Sequence, residues 1–362
     1  MTEFKNLKVA ILHDCLNQQG GAERVLKTFL EIFPSADLYT LIFDEKKFPE
    51  FSKNLKQTSF LNFSAARRNH YPFIPLMPLA AQTMTIGNNY DLIISSSSGY
   101  AKGFNIRHRH SHHPVHICYC HTPLRYAWSP PRFTTPLSYI LKFWDRQTSK
   151  NPNLIIANSE FIKDKIKKAY GQNSQVIHPP VDNNIFYYEP KSSQENFYLM
   201  VGRLVPYKHF DIAIKAFNQL GLKLKIIGRG LEEKKLKKIA RENIELVGFP
   251  DDFELNRNYN RARALIFPQI EDFGLVAAEA QACGLPVIAY RAGGALEIIE
   301  NGKTGVFFDE QSEKSLSLAV QKFEKQKFDR AYIAHRAGIF SKDNFKVKIK
   351  DIIDRELNHS LG

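Results

Sequence analysis

Short apolar runs alternate with helix-like segments along this chain, and the alternation occurs in two series. Runs of this kind predict parallel β-sheets whose faces are covered by helices. The predicted strands of the first series are Lys8–His13, Asp37–Phe43, Leu92–Ser96, Val115–His121, Leu154–Asn158 and Gln175–His178. Those of the second series are Phe197–Val201, Leu222–Ile227, Ile244–Val247, Ala264–Phe267, Pro286–Ala289 and Val306–Phe308. The sequence therefore predicts an α/β protein with two sheets.

A stretch rich in proline, asparagine and serine, residues 179–195, separates the two series and is typical of a linker. The length of 362 residues suits two domains of ordinary size. We predict an N-terminal domain over residues 1–185 and a C-terminal domain over residues 186–340. Residues 341–362 hold one more amphipathic helix with no strand after it. Two open parallel sheets predict a ligand site at the carboxyl ends of their strands.

The charge balance favours anionic partners. Lysine and arginine number 50 against 37 aspartate and glutamate residues, which gives a net charge of +13. Nucleotides, phospholipid surfaces and nucleic acids are all compatible with such a balance. The four cysteines form no disulfide framework, and no signal-peptide core or membrane-spanning apolar run is present in the sequence. We expect a cytoplasmic protein whose membrane contact, if any, is peripheral.

Two glutamates, Glu271 and Glu279, bracket a predicted strand–loop–helix junction. The helix over residues 274–283 is almost entirely small and apolar, so we expect it to be buried. A carboxylate in such a helix needs donors, and a ribose diol would supply two to Glu279. The free amides at the start of the helix favour an anion. Alternatively, Glu279 pairs with an arginine and Glu271 is a solvated loop residue.

Two cations follow the first strand of the second series. That strand ends at Gly202, Arg203 comes next, and Lys208 is predicted to begin a helix. A planar guanidinium and a point charge at the carboxyl end of an open α/β sheet suit a bound diphosphate. The alternative is that both side chains are solvated surface cations.

Three further positions are candidates for ligand contacts. Gly20 and Gly21 lie between the first predicted strand and helix, where their backbone can approach a phosphate or a sugar closely. Gly228 occupies a similar turn, and for both sites a plain tight turn explains the glycines equally well. His121 ends a predicted strand at the ligand edge of the sheet, where it either binds ligand or is structural.

No metal site is predicted. His108, His110, His112 and His113 lie in a basic loop, but their spacing matches no standard zinc site, and a solvated loop is the better interpretation. Cys118 and Cys120 alternate along one strand, so their thiols face opposite ways. The chain contains no Asp-x-Asp motif, which is a common handle for a metal–diphosphate complex.

Taken together, these motifs resemble the GT-B glycosyltransferases of glycosyltransferase family 4 over nearly the full length of the chain. The resemblance is strongest in the second series of elements. The segments that carry it are Gly202-Arg203 with Lys208, Gly228-Arg229-Gly230, Val247-Gly248-Phe249, Glu271 to Glu279, Ala282 to Ala289, and Gly293-Gly294 before Glu297. In the first series, Gly20 to Val25 and His121 to Tyr126 resemble the bacterial mannosyltransferase-like branch.

The resemblance implies two Rossmann-like domains facing a cleft, with the last helix returning to the first domain. It also implies retaining transfer of a hexose, mannose favoured, from a GDP- or UDP-linked sugar without a metal or other cofactor. By carry-over, Arg203 and Lys208 are catalytic and hold the diphosphate, while Glu271 and His121 contact the donor sugar. The implied donor-binding residues are Gly20, Gly21, Gly228, Phe249, Phe273, Gly274, Leu275 and Glu279.

The acceptor is implied to be a saccharide or a lipid-linked saccharide, in polysaccharide biosynthesis. Arg67, Arg68, His70 and the apolar stretch Tyr71–Met84 combine cations with apolar side chains, which suits an anionic membrane surface. A helix packed inside the first domain is the alternative. The rival functions are another GT-B nucleotide-sugar enzyme, such as an epimerase, and a non-enzymatic polyanion binder. No aromatic and basic RNA-binding motif accompanies the charge, so we expect no nucleic-acid partner.

Overall fold

The structure is a computed structural model that describes residues 7–87, 89–107, 113–128 and 136–360. The chain forms two compact units, the first made of Met1–Pro179 with Phe345–Gly362 and the second of Pro180–Asn344. The first boundary therefore lies between Pro179 and Pro180, whereas the sequence analysis placed it after residue 185. His108, His110 and His112 of the basic loop fall outside the described residues.

The first unit is built around a parallel sheet of seven strands. Its strands and helices are β1 (Val9–Leu16), α1 (Gly21–Ile32), β2 (Asp37–Phe43), β3 (Leu55–Thr58), α2 (Ser64–Arg68), α3 (Met77–Thr83), β4 (Thr85–Ile86), β5 (Leu92–Ser97), β6 (Asn105–Ile106), β7 (Val115–Cys120), α4 (Arg125–Trp128), α5 (Pro136–Thr148), β8 (Leu154–Ala157), α6 (Glu160–Tyr170) and β9 (Gln175–Val176). Short 3₁₀ helices cover Pro49–Phe51, Tyr71–Leu76 and Ala101–Gly103. The strand order is β3-β2-β1-β5-β7-β8-β9, and β4 pairs with β6 in a separate small sheet.

Strand β1 shows why this sheet is covered on both faces. Val9 and Ile11 belong to one apolar core and Ala10 and Leu12 to another, because successive side chains of a strand point to opposite faces. All of these residues are buried, as a parallel sheet between helix layers requires. Strand β1, in the interior of the sheet, thus contributes to two cores at once.

The second unit contains a parallel sheet of six strands. Its elements are β10 (Tyr198–Val201), α7 (Phe210–Leu220), β11 (Leu224–Ile227), α8 (Glu233–Ile239), β12 (Ile244–Val247), α9 (Asp252–Arg261), β13 (Leu265–Phe267), α10 (Leu275–Ala282), β14 (Val287–Tyr290), α11 (Ala295–Ile298), β15 (Gly305–Phe308), α12 (Glu313–Glu324) and α13 (Arg330–Ala337). Further 3₁₀ helices cover Pro206–Lys208 and Gly338–Phe340. The strand order is β12-β11-β10-β13-β14-β15.

The last helix, α14 (Lys342–Ser360), packs on the first unit. Phe345, Ile349 and Ile352 recur with a helical spacing and are buried in the core that β1 and α1 share. The ring of Phe345 meets Phe29 of α1 edge-on, with 5.6 Å between the ring centroids. No helix in the part of the chain that the structure describes is long and apolar enough to span a membrane.

Each sheet reverses its strand order at one place, between β1 and β5 in the first unit and between β10 and β13 in the second. Two parallel sheets with this order confirm the predicted pair of Rossmann-like domains. In open α/β sheets, ligands bind beyond the carboxyl ends of the strands at such a reversal, because the loops on either side diverge and leave a crevice. The reversal in each unit therefore marks where a functional site is expected.

Candidate functional site

In the second unit, Lys208 reaches the strand reversal by lying against Gly202 at the end of β10. A Cβ atom at Gly202 would be only 3.2 Å from Cδ of Lys208 and 3.3 Å from its Nζ. Gly202 also has a φ of 152°, a backbone conformation that favours glycine. The backbone conformation therefore favours glycine here, and a larger residue would crowd the lysine side chain that crosses it.

The prediction that Lys208 begins a helix is wrong. Lys208 is the last residue of the 3₁₀ helix Pro206–Lys208, and His209, with a left-handed φ of 54°, separates it from α7. Pro206 fixes the start of that short helix, and the left-handed residue turns the chain before α7 begins. The tight turn is what directs Lys208 back over Gly202. Its side chain is 11% exposed, so it is not a solvated surface cation.

The structure brings Lys208 together with Glu271, which lies on the loop between β13 and α10. The distance from Nζ of Lys208 to Oε1 of Glu271 is 2.7 Å, and the glutamate side chain is 21% exposed. This short separation of opposite charges defines an ion pair. Two residues predicted from separate motifs thus share one site at the strand reversal.

A pair of glycines packs against the loop that carries Glu271. A Cβ atom at Gly293 would lie 2.5 Å from the carbonyl oxygen of Glu271, and one at Gly294 would collide with the backbone of Phe273. The amide of Gly294 also donates a hydrogen bond of 3.0 Å to the carbonyl oxygen of Glu271. Gly293 and Gly294 therefore fix the backbone of the loop from which Glu271 reaches Lys208.

The other predicted residues of this loop and helix have distinct environments. Glu279 is buried in α10 among alanines. Burial, reinforced by the charge of Glu279, raises the pKa of the Cys283 thiol one turn later. Gly274 caps α10 with a left-handed φ of 105° and no side-chain capping bond, and Leu275 is the first helical residue. The Phe273 ring is buried against Phe340, so that ring is part of the core. Only its backbone is suited to ligand binding.

Two neighbouring turns complete the edge of the second sheet. Arg203 follows Gly202 directly and is exposed. Gly228, after β11, lies so close to the carbonyl of Gly202 that a Cβ atom would collide with it. Phe249 is 51% exposed after β12, and the guanidinium of Arg229 lies 3.1 Å from the place of a Cβ atom on Gly248. The Gly228-Arg229-Gly230 motif alone indicates no role for Arg229.

In the first unit, His121 directly follows β7 and is buried. Its Nε2 lies 2.8 Å from the hydroxyl oxygen of Ser96, which in turn lies 3.1 Å from Nδ1 of His13. Gly20 caps α1, where Glu23 of the first turn faces it. Sequence reasoning missed His13, Ser96 and Glu23. The signal available was that polar residues end two buried apolar runs, at His13-Asp14 and at the serines from Ser95 onward.

The loop after His121 is anchored by a buried ion pair that the sequence analysis also missed. Lys102 and Asp145 form the pair, and both side chains are at most 1% exposed. Asp145 also accepts hydrogen bonds from the amide of Leu124, the indole of Trp128 and the hydroxyl of Tyr170. Burial lowers the pKa of Lys102, but the charge of Asp145 outweighs it and leaves that pKa raised. Asp145 lies on the apolar stripe of α5 with Leu141 and Thr148, a position that was readable from the sequence.

Burial, reinforced by the neighbouring His13 ring, lowers the pKa of His121 to about 3. Between the ordinary histidine pKa near 6.5 and this value, the unfolded chain binds a proton that the folded protein does not. Stability therefore rises with pH in this window and is lost as pH falls, by up to about 1.4 kcal/mol per pH unit.

We expect the free energy of unfolding of the wild type to fall between pH 7.5 and 5.0 by about 2 kcal/mol more than that of His121→Gln. Urea titrations followed by tryptophan fluorescence measure this in the first unit, since the two tryptophans, Trp128 and Trp144, both lie there. Equal losses in the two proteins would contradict the expectation. Glutamine retains a polar partner for Ser96, so the comparison isolates the titrating group.

Among residues 7–87, 89–107, 113–128 and 136–360, no group of three or more His, Cys, Asp and Glu side chains is arranged to hold a metal ion.

Family models and relatives agree with this fold. The model of Glycosyltransferase Family 4 matches residues 19–184, and that of Glycosyl transferases group 1 matches residues 182–338. The structure of Anabaena HepE in complex with UDP superposes with a TM-score of 0.73 at 20% identity, covering 96% of this chain and 100% of that one. The fold is that of the GT-B glycosyltransferases. The family 4 model thus matches the N-terminal part of the chain and the group 1 model the C-terminal part.

Two curated relatives are similar over shorter stretches. An uncharacterised glycosyltransferase of Methanocaldococcus jannaschii is 30% identical over 206 residues, which is 56% of this chain and 58% of the relative. A GDP-mannose-dependent alpha-(1-6)-phosphatidylinositol monomannoside mannosyltransferase of Mycolicibacterium smegmatis is 28% identical over 48% of this chain and 54% of the relative. The chain thus spans little more than half the length of these two relatives.

Proposed function

We propose that this protein transfers a hexose from a nucleotide sugar to a saccharide or lipid-linked saccharide, with retention of anomeric configuration and without a metal ion. The observation that carries the proposal is the ion pair between Lys208 and Glu271 at the strand reversal of the second sheet. A buried ammonium held by one carboxylate is a site that a diphosphate can enter, because the ligand carries more negative charge than the glutamate.

In the proposed mechanism, Lys208 and Arg203 stabilise the charge that builds on the departing diphosphate. The diphosphate oxygens would replace Glu271 as the ion-pair partner of the Lys208 ammonium. The freed Glu271 carboxylate would then accept hydrogen bonds from hydroxyls of the donor sugar. The amides of Phe273, Gly274 and Leu275 would supply fixed donors at the start of α10. Glu279 would bind the ribose hydroxyls, and His121 would contact the donor sugar. The leaving phosphate would take the proton of the acceptor, so no strong protein base is required.

The identity of the donor is proposed from the relatives. The GDP-mannose-dependent relative favours a GDP-mannose donor. The solved HepE structure contains UDP, which supports a UDP-linked sugar as the alternative donor. The exposed Phe249 and the guanidinium of Arg229 beside Gly248 would border the base. Both side chains have planar faces that suit stacking on any base.

A thermal-shift panel of nucleotides and nucleotide sugars tests the donor class. A ligand present at 100 times its dissociation constant adds about 2.7 kcal/mol to stability. We expect a GDP- or UDP-linked hexose to raise the melting temperature of the wild type and to lose most of that effect in Lys208→Ala. Chelation of divalent metals should leave the shift unchanged. A panel in which no nucleoside diphosphate or its sugar stabilises the protein would contradict the proposal.

A membrane-facing surface is proposed for the first unit. The predicted stretch Tyr71–Met84 forms a 3₁₀ helix and α3, whose Met77 and Ala80 are buried while Leu76 and Leu79 are exposed. One face therefore packs and the other is open, and Arg68, which precedes this stretch, is exposed too. Tyr71 meets Tyr126 of α4 with 6.4 Å between the ring centroids.

Helix α5 packs against α4 and carries further exposed apolar side chains. Tyr139, Ile140 and Phe143 are between 63% and 68% exposed on one face of the helix. Lys142 lies over the ring of Trp128, at the end of α4, and Arg146 is exposed one turn further. The only acidic residue of α5, Asp145, is buried in its ion pair. Exposed apolar side chains among cations suit the surface of an anionic bilayer.

We expect the protein to float with vesicles containing phosphatidylglycerol and to do so weakly with pure phosphatidylcholine. The triple variant Tyr139→Ser, Ile140→Ser, Phe143→Ser should reduce the bound fraction about tenfold, because each exposed side chain contributes apolar area. Phe253→Ser, at a 64% exposed phenylalanine of the second unit, is the matched control and should bind normally. Flotation without preference for anionic lipid would count against this surface.

A further inference from the structure

A buried chain of polar side chains leads away from His121 across the strand reversal of the first sheet. His13 and Ser96 form the last residue pair between β1 and β5, and β7 lies on the other side of β5. The Ser96 hydroxyl oxygen lies 2.8 Å from Nε2 of His121 and 3.1 Å from Nδ1 of His13. Ser96 therefore links the two imidazole rings within hydrogen-bond distance of both.

A carboxylate lies at the far end of this chain. Glu23, in the first turn of α1, has Oε1 3.7 Å from Nε2 of His13, and its side chain is 16% exposed. Its other oxygen lies 3.1 Å from the place of a Cβ atom on Gly20, so the glycine leaves room for the carboxylate. The ordered sequence of groups is Glu23, His13, Ser96 and His121.

The charge of the carboxylate favours one direction for the protons of this chain of groups. When the His13 ring is neutral, a negative oxygen facing its Nε2 favours the tautomer with the proton on Nε2, which leaves Nδ1 as an acceptor. The Ser96 hydroxyl has one proton and donates it to that Nδ1. Ser96 must then accept from His121, whose proton is therefore on Nε2.

We propose that Glu23, His13 and Ser96 are positioning residues that hold His121 in the Nε2-protonated tautomer, with the Nδ1 lone pair available to accept a hydrogen bond from a ligand hydroxyl. Within the described part of the chain, Nδ1 of His121 has no hydrogen-bond partner, and the residue is 8% exposed. That the hydroxyl belongs to a sugar rests on the proposed function. The tautomer itself does not.

The other tautomer of His121 would recognise a different chemical group on the ligand. With the proton on Nδ1, His121 would donate to a carbonyl, carboxylate or phosphate oxygen and would not accept from a hydroxyl. Burial keeps the ring neutral, because it lowers the pKa of His121 to about 3. The backbone on both sides restrains the ring, since the His121 amide donates to Ser97 and Asn158 donates to the His121 carbonyl. The tautomer thus decides which ligands His121 can recognise.

Long-range proton–nitrogen correlation spectra of the full chain labelled with ¹⁵N-histidine, recorded at pH 8 without ligand, report which ring nitrogen of each histidine is protonated. His13→Gln and His121→Gln assign the two signals. We expect His121 of the wild type to be protonated on Nε2. Glu23→Gln and Ser96→Ala should each give a mixture of tautomers at His121. Glu31→Gln, the same change in the same helix at a carboxylate paired with Lys346, should leave the spectrum of His121 unchanged.

Protonation of Nδ1 in the wild type, or an unchanged His121 tautomer in Glu23→Gln, would overturn the proposal. A transfer assay adds a second arm, in which Ser96→Ala and Glu23→Gln should each lower kcat/KM about tenfold, as expected for one lost hydrogen bond. Absence of transfer in the wild type would contradict the proposed function alone, because the spectra need no substrate. Full activity in variants with a mixed tautomer would remove the role in ligand binding.

Discussion

Lys208→Met is expected to lower glycosyl transfer by roughly 10²- to 10³-fold, the usual effect of removing one fixed group that stabilises transition-state charge. Methionine keeps the apolar stem that lies against Gly202, so the turn at Pro206–Lys208 should survive. The lost ammonium is the partner of Glu271 and, by our proposal, of the leaving diphosphate. Initial rates of sugar transfer and circular dichroism of the same samples measure activity and folding separately.

A double-mutant cycle with Glu271→Gln separates two explanations of such a loss. If Lys208 served only to neutralise Glu271, the double variant Lys208→Met, Glu271→Gln would regain most of the activity. We expect no such recovery, because the diphosphate would still lack its cation. Lys215→Met is the control, since Lys215 is an exposed lysine of the adjoining helix α7. Wild-type rates in Lys208→Met would remove Lys208 from the diphosphate site.

Arg203→Ala should also slow transfer, but it should lower the stability of the ligand-free protein less than Lys208→Met does. Arg203 is exposed, whereas Lys208 is buried and ion-paired. Truncating an exposed side chain leaves no buried charge without a partner, which is where large costs arise. Thermal unfolding of the two variants without ligand compares them directly. The reverse order of stabilities would show that Arg203 has a structural role.

The sequence predicted strands well where apolar runs are short and bounded by polar residues. Asp37–Phe43 and Ile244–Val247 were predicted with the bounds that the structure has, because a buried parallel strand has few alternatives for such a run. Strand β1 was predicted to end at His13 but continues to Leu16. The last residues of β1 pair with β2 only. The end of the strand is therefore set by its pairing with a neighbouring strand, which the local sequence does not show.

The candidate site was only partly predictable, for a related reason. Lys208 and Glu271 were identified from local motifs, but their 2.7 Å ion pair depends on the adjacency of β10 and β13, which the strand order sets. The left-handed His209 interrupts the helix that the local pattern favoured, and no local signal marked that turn. His13 and Ser96 were missed because their contact spans 83 residues, and nothing local to either one marks the other.

Breaking the buried ion pair of Lys102 and Asp145 should have the largest effect on stability. Lys102→Met and Asp145→Ala are each expected to lower the free energy of unfolding of the first unit by about 3–5 kcal/mol, because each leaves an uncompensated charge in the interior. Trp128 donates to Asp145 and Trp144 lies beside Lys102, so urea unfolding followed by tryptophan fluorescence reports on this region. The exposed pair of Lys163 and Glu160 on α6 is the control, and removing it should cost less than about 1 kcal/mol.

The double variant Lys102→Met, Asp145→Leu tests what Asp145 does besides balancing a charge. Replacing a buried ion pair by apolar residues is often neutral, because no charge then has to be buried. Here the amide of Leu124, the indole of Trp128 and the hydroxyl of Tyr170 would all lose their acceptor, and each unpaired donor costs about 1–3 kcal/mol. We therefore expect the double variant to stay well below the wild type in stability. Recovery to wild-type stability would show that those three donors find other partners, and that the loop after His121 does not depend on Asp145.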